Sequence, residues 1–406
     1  MKKLLTIFLV GVLVLSLSGL LFAAENVADV AQTGDDNEVD IEQIGHNKAE
    51  VEQKGNKNEA AVYQEGNNFP SLLGGWYYLG AHIDQIGNRN EALINMPTSS
   101  NATRIQQRGN DNKAQQSLGS TQHKSTDFNR LGMHIKQFGD ENEAYQETEA
   151  SFGSYGIQDM FIKQDGDNNF VEQFSKGGMQ TLMEAEQIGN DNISYQHQDA
   201  RFSKLHLRIK GDNNFTDQYQ EYTVWADSGD QDAYADINGD NNRARQKQVG
   251  EYGNLDLDIT GNKNIVKQEQ IGDENEALMR VVGNQNDLKQ EQVGNLNQAL
   301  LKVVGNKNTR IYQYTQSQTG ENNFAEADLW GHNNKFFQSQ LGDNNQANMK
   351  IRGNRNFAKQ VQENDNNLAT IRLTGHNNTV YQYQDGNDTS LITVKGDGNY
   401  TSVNQM

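Results

Sequence analysis

Pairs of glutamines recur at fixed intervals through the second half of the sequence. One residue separates the two members of a pair, so in a strand both lie on the same face. When such strands stack in register, each side-chain amide can donate to one neighbour and accept from the other, as in cross-β ladders. We predict an inward ladder that stabilises the stack and its polymer. Its members are Gln246, Gln248, Gln268, Gln270, Gln290, Gln292, Gln338, Gln340, Gln360, Gln362, Gln382 and Gln384.

Burial gives these amides a strong preference for one register. A satisfied hydrogen bond contributes about 0.5–1.5 kcal/mol, whereas an unmet buried partner costs about 1–3 kcal/mol. A slip of one residue would turn every glutamine outward and bring the intervening Glu and Lys residues inward. The sequence therefore specifies its own register.

Turn residues separate the segments that carry the glutamines. From residue 239 onward, glycines recur every 11 residues, with a four-residue slip before Gly320, Asn364 in place of one glycine, and Gly396 one residue early. Glycine adopts positive φ without strain, and asparagine tolerates left-handed conformations, as Asn364 would at a glycine position. The predicted turn glycines are Gly261, Gly272, Gly283, Gly294, Gly331, Gly342, Gly353 and Gly375. The predicted turn asparagines are Asn264, Asn275, Asn286, Asn297, Asn334, Asn345, Asn356, Asn367 and Asn378.

Glutamine segments alternate with aliphatic ones, such as Ala277-x-Met279-x-Val281, so the repeating unit has 22 residues. Inward positions fall at every second residue, which is strand periodicity. Fixed repeats of this length are typical of arrays rather than globular domains. We predict an all-β, two-sheet β-solenoid built from strand-turn-strand-turn coils of about 22 residues, cross-β and amyloid-like.

The composition is unusual for a folded chain of 406 residues. Hydrophobic residues make up 34%, cysteine is absent, and the formal net charge is −19. A low apolar fraction is typical of disorder, but a solenoid needs neighbouring coils rather than a large core. The absence of cysteine excludes disulfides. The acidic charge argues against a nucleic-acid partner.

The chain divides into four segments. Residues 1–24 resemble a signal peptide, with Lys2 and Lys3 before an apolar run and Ala23-Ala24 at the cleavage site. A retained anchor is the alternative, and we expect none. Residues 25–66 and 239–406 hold regular repeats, and loop insertions interrupt the repeats of 67–238. The aromatic insertion Phe69–Gly80 either contacts a partner or covers the flank of the solenoid, and we favour the second interpretation.

The last repeat places Thr401, Val403 and Gln405 on an exposed end strand. No charged cap is visible at either end of the repeats. Solenoids that remain monomeric cover such edges. Two open edges related head to tail give a non-closing contact and therefore a filament.

Other chemistry is weakly supported. Most of the 54 carboxylates occupy outward or turn positions, so we predict no enzyme activity. His332 and His376 occupy equivalent turns two coils apart, about 10 Å at strand spacing, and we interpret them as turn residues rather than metal ligands. Asp-rich turns such as Gly211-Asp-Asn-Asn lack the period of calcium β-rolls. We therefore expect no metal and no cofactor.

The motif Gln-x-Gly-x-x-Asn-x-Ala recurs along the chain. It appears in Gln85–Ala92, Gln107–Ala114 and Gln270–Ala277, and one residue short in Gln43–Ala49. The motif resembles the curlin repeat. The resemblance implies a bacterial functional amyloid of the biofilm matrix, secreted through the periplasm to the cell surface. It also implies a nucleator subunit, an outer-membrane secretion pore and periplasmic chaperones as partners.

Repeat and resemblance together predict a secreted structural subunit that self-assembles end to end into curli-type fibres for biofilm, adhesion and surface colonisation. Two alternatives stay open: a monomeric β-solenoid adhesin or binding module, and a minor nucleator subunit of the same fibre. A monomeric module would stay discrete and soluble, whereas a fibre subunit would polymerise with increasing concentration.

Overall fold

A computed structural model describes residues 26–68, 80–97, 102–119, 132–149, 158–176, 181–200, 202–222, 230–310 and 315–406. The predicted signal peptide 1–24 lies outside the described residues, as do residues 69–79 of the aromatic insertion and parts of the other insertions. Every regular element in the described part of the chain is a β-strand. That part contains no helix with the length and apolarity needed to cross a membrane.

The strands are short and evenly spaced. In chain order they are β1 (Val27–Thr33), β2 (Glu38–Lys54), β3 (Glu59–Asn68), β4 (Gly80–Ile86), β5 (Glu91–Met96), β6 (Ala102–Arg108), β7 (Lys113–Leu118), β8 (Gly132–Phe138), β9 (Glu143–Thr148), β10 (Gln158–Asp165), β11 (Phe170–Ser175), β12 (Thr181–Ile188), β13 (Ile193–Asp199), β14 (Lys204–Lys210), β15 (Phe215–Glu221), β16 (Asp232–Asn238), β17 (Arg243–Val249), β18 (Asn254–Thr260), β19 (Ile265–Ile271), β20 (Glu276–Val282), β21 (Asp287–Val293), β22 (Gln298–Val304), β23 (Thr309–Arg310), β24 (Gln316–Thr319), β25 (Phe324–Trp330), β26 (Lys335–Leu341), β27 (Gln346–Arg352), β28 (Phe357–Glu363), β29 (Leu368–Thr374), β30 (Thr379–Asp385), β31 (Thr389–Lys395) and β32 (Tyr400–Gln405).

These strands form two parallel sheets. Sheet 1 contains β1, the second part of β2, the even-numbered strands from β4 to β22, and β25, β27, β29 and β31. Sheet 2 contains the first part of β2, the odd-numbered strands from β3 to β21, and β23, β24, β26, β28, β30 and β32. Each strand pairs with its equivalents one coil earlier and one coil later. The result is a parallel β-solenoid of about 15 turns, which confirms the predicted all-β solenoid.

The turns explain the fixed glycines. All eight predicted turn glycines have φ between +111° and +136°. A Cβ on Gly283 would lie 2.0 Å from the carbonyl oxygen of Gly305, because the same turn of the next coil packs directly against it. Only glycine fits both this conformation and this space.

The conformational role predicted for the turn asparagines is wrong. The residue before each of them has positive φ, as at Gln285 (58°) and Asn333 (57°). The asparagine itself is buried, because its side chain bonds to the coils on either side. Asn364, which replaces a glycine, does have positive φ, at 61°.

Strand β2 crosses from one sheet to the other without a break. Its first part pairs with β3, and its second part pairs with β1 and β4. The repeat there is one residue short, with Gly45-His46-Asn47 in place of the four-residue turn. The shortened turn keeps positive φ at Gly45 and omits one residue of the usual sequence.

The four-residue slip before Gly320 interrupts one strand of sheet 2. Strands β23 and β24 stand on either side of it, and both pair with β21 and β26. The inward face therefore keeps its register across the insertion. Every second residue points into a narrow core. Its apolar members form three clusters, one from Ala49 to Ala185, one from Leu207 to Val394 and one from Met133 to Ala277.

Candidate functional site: amide columns and edge coils

The twelve predicted glutamines are buried, at most 1% exposed, and form two columns in sheet 2. We call the column through Gln246 and Gln268 column 2, and the column through Gln248 and Gln270 column 3. In both, each Nε2 donates to the Oε1 of the glutamine one coil further along the chain, except that Gln382 donates to the Ser390 carbonyl because Val403 occupies the next level. These N···O distances run from 2.7 to 3.3 Å.

Both columns are longer than the sequence analysis predicted. Gln316 and Gln318 fill the level between Gln290/Gln292 and Gln338/Gln340. They were missed because the insertion before them breaks the 11-residue spacing. Column 2 begins at Gln116, and column 3 runs from Gln198 to Gln405.

A further column lies in sheet 1 and was not predicted. Column 1 consists of Gln32, Gln53, Gln85, Gln107, Gln137, Gln164 and Gln187. Each of these residues stands two positions before a turn glycine. That constant position in the curlin-like motif was the signal that could have found them.

The second Nε2 hydrogen of many of these glutamines joins the two sheets. Gln246 donates to the carbonyl oxygen of Tyr234 at 2.9 Å, and Gln270 donates to that of Asn254 at 3.1 Å. Tyr234 and Asn254 belong to sheet 1, whereas both glutamines belong to sheet 2. The columns therefore stabilise the stack along its axis and across its thickness.

The side-chain hydrogen bonds of each column all run in one direction. The glutamine at the end of a column therefore lacks its glutamine partner on one side. Gln116 and Gln198 begin columns 2 and 3, above Ile94 and Ser175, and their buried Oε1 atoms have no hydrogen-bond partner. At the far end of column 1, Gln187 donates to Ser194 Oγ at 2.7 Å, because Ile209 occupies the next level. An unmet buried acceptor costs about 1–3 kcal/mol, so continuity of a column matters more than its location.

The turn asparagines form two columns whose N–H···Oδ1 bonds run opposite to the Nε2–H···Oε1 bonds of the glutamine columns. The backbone N–H of Asn286 donates to Oδ1 of Asn264 at 3.0 Å, one coil earlier, and its Nδ2 donates to the Gly305 carbonyl at 2.9 Å, one coil later. Asn264, Asn286, Asn334, Asn356 and Asn378 share this column. Asn275, Asn297, Asn345 and Asn367 belong to the equivalent column at the other edge of the sheets.

The edge coils carry the ends of these columns. Within the described residues, β1 and the first part of β2 have strand partners on one side only, as do β31 and β32. Thr401, Val403 and Gln405 lie on the inward face of β32 and are half-buried. Gln405 Oε1 accepts from Gln384 at 3.2 Å, and its Nε2 donates one hydrogen to the Thr389 carbonyl at 3.2 Å. The second Nε2 hydrogen is the one that a further coil would accept.

The outward face of sheet 2 holds an aromatic row that sequence reasoning missed. Tyr145, Phe170, Tyr195 and Phe215 succeed one another with ring centroids 5.5–6.0 Å apart. Beside them, Tyr219 stacks on His197 at 4.9 Å. Burial and the neighbouring Glu221 raise the pKa of Tyr219 to about 12. The sequence signal for this row was the recurrence of aromatic residues at outward positions, between the inward ones, in successive coils.

Charged residues on the same face form ion pairs rather than a catalytic pair. Glu269 lies 2.6 Å from Lys267 Nζ and 3.9 Å from Lys289 Nζ. Burial opposes its ionisation, but the bond to Lys267 and the charges of the nearby lysines hold the pKa of Glu269 below its usual range. Among the described residues, no group of three or more His, Cys, Asp or Glu side chains is arranged to hold a metal ion.

The fold and its interior define a class of protein: a parallel β-solenoid whose core is largely hydrogen-bonded amides. Comparison with family models gives a match to the curlin associated repeat at residues 23–45 and 47–68, which contain β1, β2 and β3. The first two coils therefore carry curlin repeats, and the resemblance seen in the sequence is confirmed for that segment. Comparison with curated proteins finds no match. The repeat and the solenoid indicate a structural protein.

Proposed function

We propose that this chain is a secreted subunit that stacks end to end into curli-type, amyloid-like fibres of a biofilm matrix, serving adhesion and surface colonisation. The curlin repeats support this function. The observation that carries it is the complementary direction of the columns at the two edge coils. A copy added to the edge at β32 continues both sheets, and each copy of about 15 turns extends the fibre by about 70 Å at strand spacing.

The junction in sheet 2 follows from the register of the stack. With Asn37 of the next copy placed on Asn399, residues 38–44 of β2 lie on β32. Gln405 Nε2 then points toward Gln43 Oε1, which is the donor-to-acceptor direction of column 3. The backbone N–H of Asn37 points toward Asn399 Oδ1, the direction of the asparagine column. The new contacts are chemically those of the interior.

The apolar positions of the two edge coils also match. Val403 stands at the level where column 2 would continue beyond Gln382, and in the proposed junction it contacts Ile41. In sheet 1, Ile392 would lie on Val30. One position does not match. Gln32 would lie on Val394, and its Oε1 would have no hydrogen-bond partner, like the Oε1 atoms of Gln116 and Gln198.

The experiment is polymerisation of the mature chain, residues 25–406, diluted from denaturant. Thioflavin fluorescence and electron microscopy would follow the same samples, with V403K and I41K as junction variants. Lysine at either position would place an unpaired charge in the junction while leaving the half-exposed site solvated in the monomer. S402K is the matched control, because Ser402 is exposed on the outward face of the same strand.

We expect the parent and S402K to form seeding filaments, and V403K and I41K to remain monomeric with unchanged circular dichroism. A parent that stays monomeric at every concentration would contradict the fibre function. Filaments from V403K equal to those of the parent would contradict this junction.

Secretion and its partners are part of the proposal. Removal of residues 1–24, passage through the periplasm with chaperones, an outer-membrane pore and a nucleator subunit all rest on the curlin repeats. N-terminal sequencing of extracellular protein tests the first step, with Glu25 as the expected first residue. Extracellular protein that keeps Met1 would contradict removal of residues 1–24. Fibres that appear outside the cells only when the pore is present would support the export route.

A monomeric adhesin is the second candidate, and the aromatic row on sheet 2 is the observation that favours it. Exposed aromatic patches mark interaction sites. A monomer that binds a surface or glycan, and loses binding in Y195A while keeping its fold, would establish this function. Polymerisation without such binding would exclude it. A nucleator would instead seed another subunit at low molar ratio.

A further inference from the structure

A third series of hydrogen bonds runs along the turns that follow the sheet 1 strands. The residue after each turn glycine accepts, through its side chain, from the backbone N–H of the equivalent residue one coil earlier. Asp240 N donates to Asn262 Oδ1 at 2.9 Å, Asn262 N to Asn284 Oδ1 at 2.7 Å, and Asn284 N to Asn306 Oδ1 at 2.7 Å. We call this series the turn column. Its acceptors in nearly all described coils are Asn or Asp oxygens.

Two histidines replace these oxygens. Asn306 N donates to His332 Nδ1 at 2.9 Å, and Asn354 N donates to His376 Nδ1 at 3.0 Å. The backbone N–H groups of the two histidines continue the column, to Asn354 Oδ1 at 2.8 Å and to Asp397 Oδ1 at 2.7 Å. The expectation that these residues merely occupy turns is therefore incomplete, because each ring supplies a link in the column.

A ring nitrogen differs from an amide oxygen in one respect. Nδ1 accepts a hydrogen bond only while it carries no proton, so this geometry requires neutral imidazole with its proton on Nε2. A free imidazole changes its charge near pH 6.5. An amide oxygen accepts at any physiological pH, and a carboxylate loses its charge only near pH 4.

We propose that His332 and His376 make the turn column acid-sensitive in the coils between Asn306 and Asp397. Protonation of either ring removes the acceptor of one backbone N–H and turns a matched link into two opposed donors. The same coils lie next to the edge at β32. On the proposed function, mild acid would therefore loosen the edge to which the next copy adds.

The charges around the two rings differ. By sequence position, the turns and adjoining strand ends of the same and neighbouring coils place Lys307, Lys335, Arg352 and Arg355 around His332, and Arg352, Arg355, Lys395 and Asp397 around His376. At these positions a protonated His332 would have cations but no carboxylate. A protonated His376 would have the carboxylate of Asp397 beside it. We therefore expect the link at His332 to weaken more than the link at His376.

Hydrogen exchange tests this inference on the mature chain, and works on monomer and fibre alike. Exchange is measured by mass spectrometry at pH 7.5 and pH 5.0, with each rate divided by the intrinsic rate at that pH. We expect peptides containing the Asn306 and Asn354 amides to lose about three- to tenfold protection at pH 5.0, the size of one hydrogen bond. The Asn262 and Asn284 amides, which donate to asparagines, are the internal reference and should not change.

The matched variant is H332N/H376N, because asparagine is the residue that this column uses elsewhere. It should keep full protection at pH 5.0. H206N, on the outward face of sheet 1, should leave the acid effect intact. Equal loss at all four amides, or the same loss in H332N/H376N, would overturn the inference. If the chain does not polymerise, the proposed function fails while this measurement still decides the role of the histidines.

Discussion

The lower half of the solenoid is residues 26–200, and the upper half is residues 202–406. The two halves carry the long glutamine column of the third core position on opposite sheets. In the lower half, column 1 occupies sheet 1, and the third core position of sheet 2 holds Gln43 and Gln64 in the first two coils and then Met96, Leu118, Thr148 and Ser175. In the upper half, sheet 1 is aliphatic, as at Ile209 and Val303, and sheet 2 carries columns 2 and 3. Two of the three apolar clusters end at the same level, between Ala185 and Leu207.

The comparison shows that either sheet accepts a polar column, provided that the column is continuous. Among the glutamines of the three columns, the buried atoms without a hydrogen-bond partner are the Oε1 atoms of Gln116 and Gln198, where columns 2 and 3 begin. Column 2 and one apolar row, which runs from Met133 to Ala277, continue through the change from the lower to the upper half. The stability of such a solenoid thus depends more on where its glutamine columns start and end than on its apolar content.

The largest expected effect is common to both halves and comes from the turns. G283A would place a Cβ 2.0 Å from the Gly305 carbonyl oxygen at a φ of 131°. We expect a loss of about 4 kcal/mol or more, the range reserved for severe backbone conflict. Denaturant unfolding of the monomer measures it. G398A is the control, because Gly398 has positive φ and no atom within 4 Å of the added Cβ, and it should cost about 1–2 kcal/mol. Equal losses would contradict the packing argument.

The next effect distinguishes a column from the surface beside it. Q362A would leave Gln340 Nε2 and Gln384 Oε1 unmatched in column 3. Each buried unmet group costs about 1–3 kcal/mol, so we expect a loss of about 2–5 kcal/mol. V361A removes a neighbouring side chain from the outward face and should change stability by about 0.5 kcal/mol or less. A loss in Q362A no larger than that in V361A would show that the columns do not stabilise the fold.

A smaller effect should have the opposite sign. S175Q would extend column 3 into the lower half, so that its new Nε2 reaches the unmet Oε1 of Gln198 and its Oε1 accepts from the Thr148 hydroxyl. We expect a gain of about 1 kcal/mol in denaturant unfolding. S175A, which adds no amide, should give no such gain. A loss of about 1–3 kcal/mol in S175Q, the cost of overpacking a core, would contradict the idea that the starts of columns limit stability.

The smallest effect concerns acid and belongs to the upper half. Because the folded pKa of Glu269 is lowered, its ionisation stabilises the protein above the unfolded pKa, about 4.3. This contribution is lost as pH falls through the folded pKa. E269Q should therefore be less stable than the parent at pH 7, and the two should converge below about pH 4. E172Q, at an exposed position, should track the parent throughout. A constant gap between E269Q and the parent down to pH 3 would contradict the ion-pair account.

The strands and the upper columns were predictable because they depend on local regularity. Alternation places Gln268 and Gln270 inward, and the 11-residue spacing places Gly272 and Gly283 in turns. What escaped prediction depends on contacts between coils. The pattern of Asn286 does not show that its side chain bonds to two other coils, nor does His332 reveal that its ring replaces an amide oxygen. Gln316 escaped for a simpler reason, since an insertion hides its place in the column.

The most direct test of the central claim is disulfide cross-linking between copies. The chain has no cysteine, so S402C and D40C variants each carry a single thiol on the outward face. In the proposed junction these two positions are direct neighbours at strand spacing, about 4.8 Å, within the Cα range of a disulfide, about 4.4–6.8 Å. We predict that fibres assembled from a mixture give S402C–D40C dimers on mild oxidation, and that fibres of either variant alone do not. Fibres that yield no mixed dimers, or equal yields for S402C with itself, would contradict head-to-tail stacking of β32 on β2.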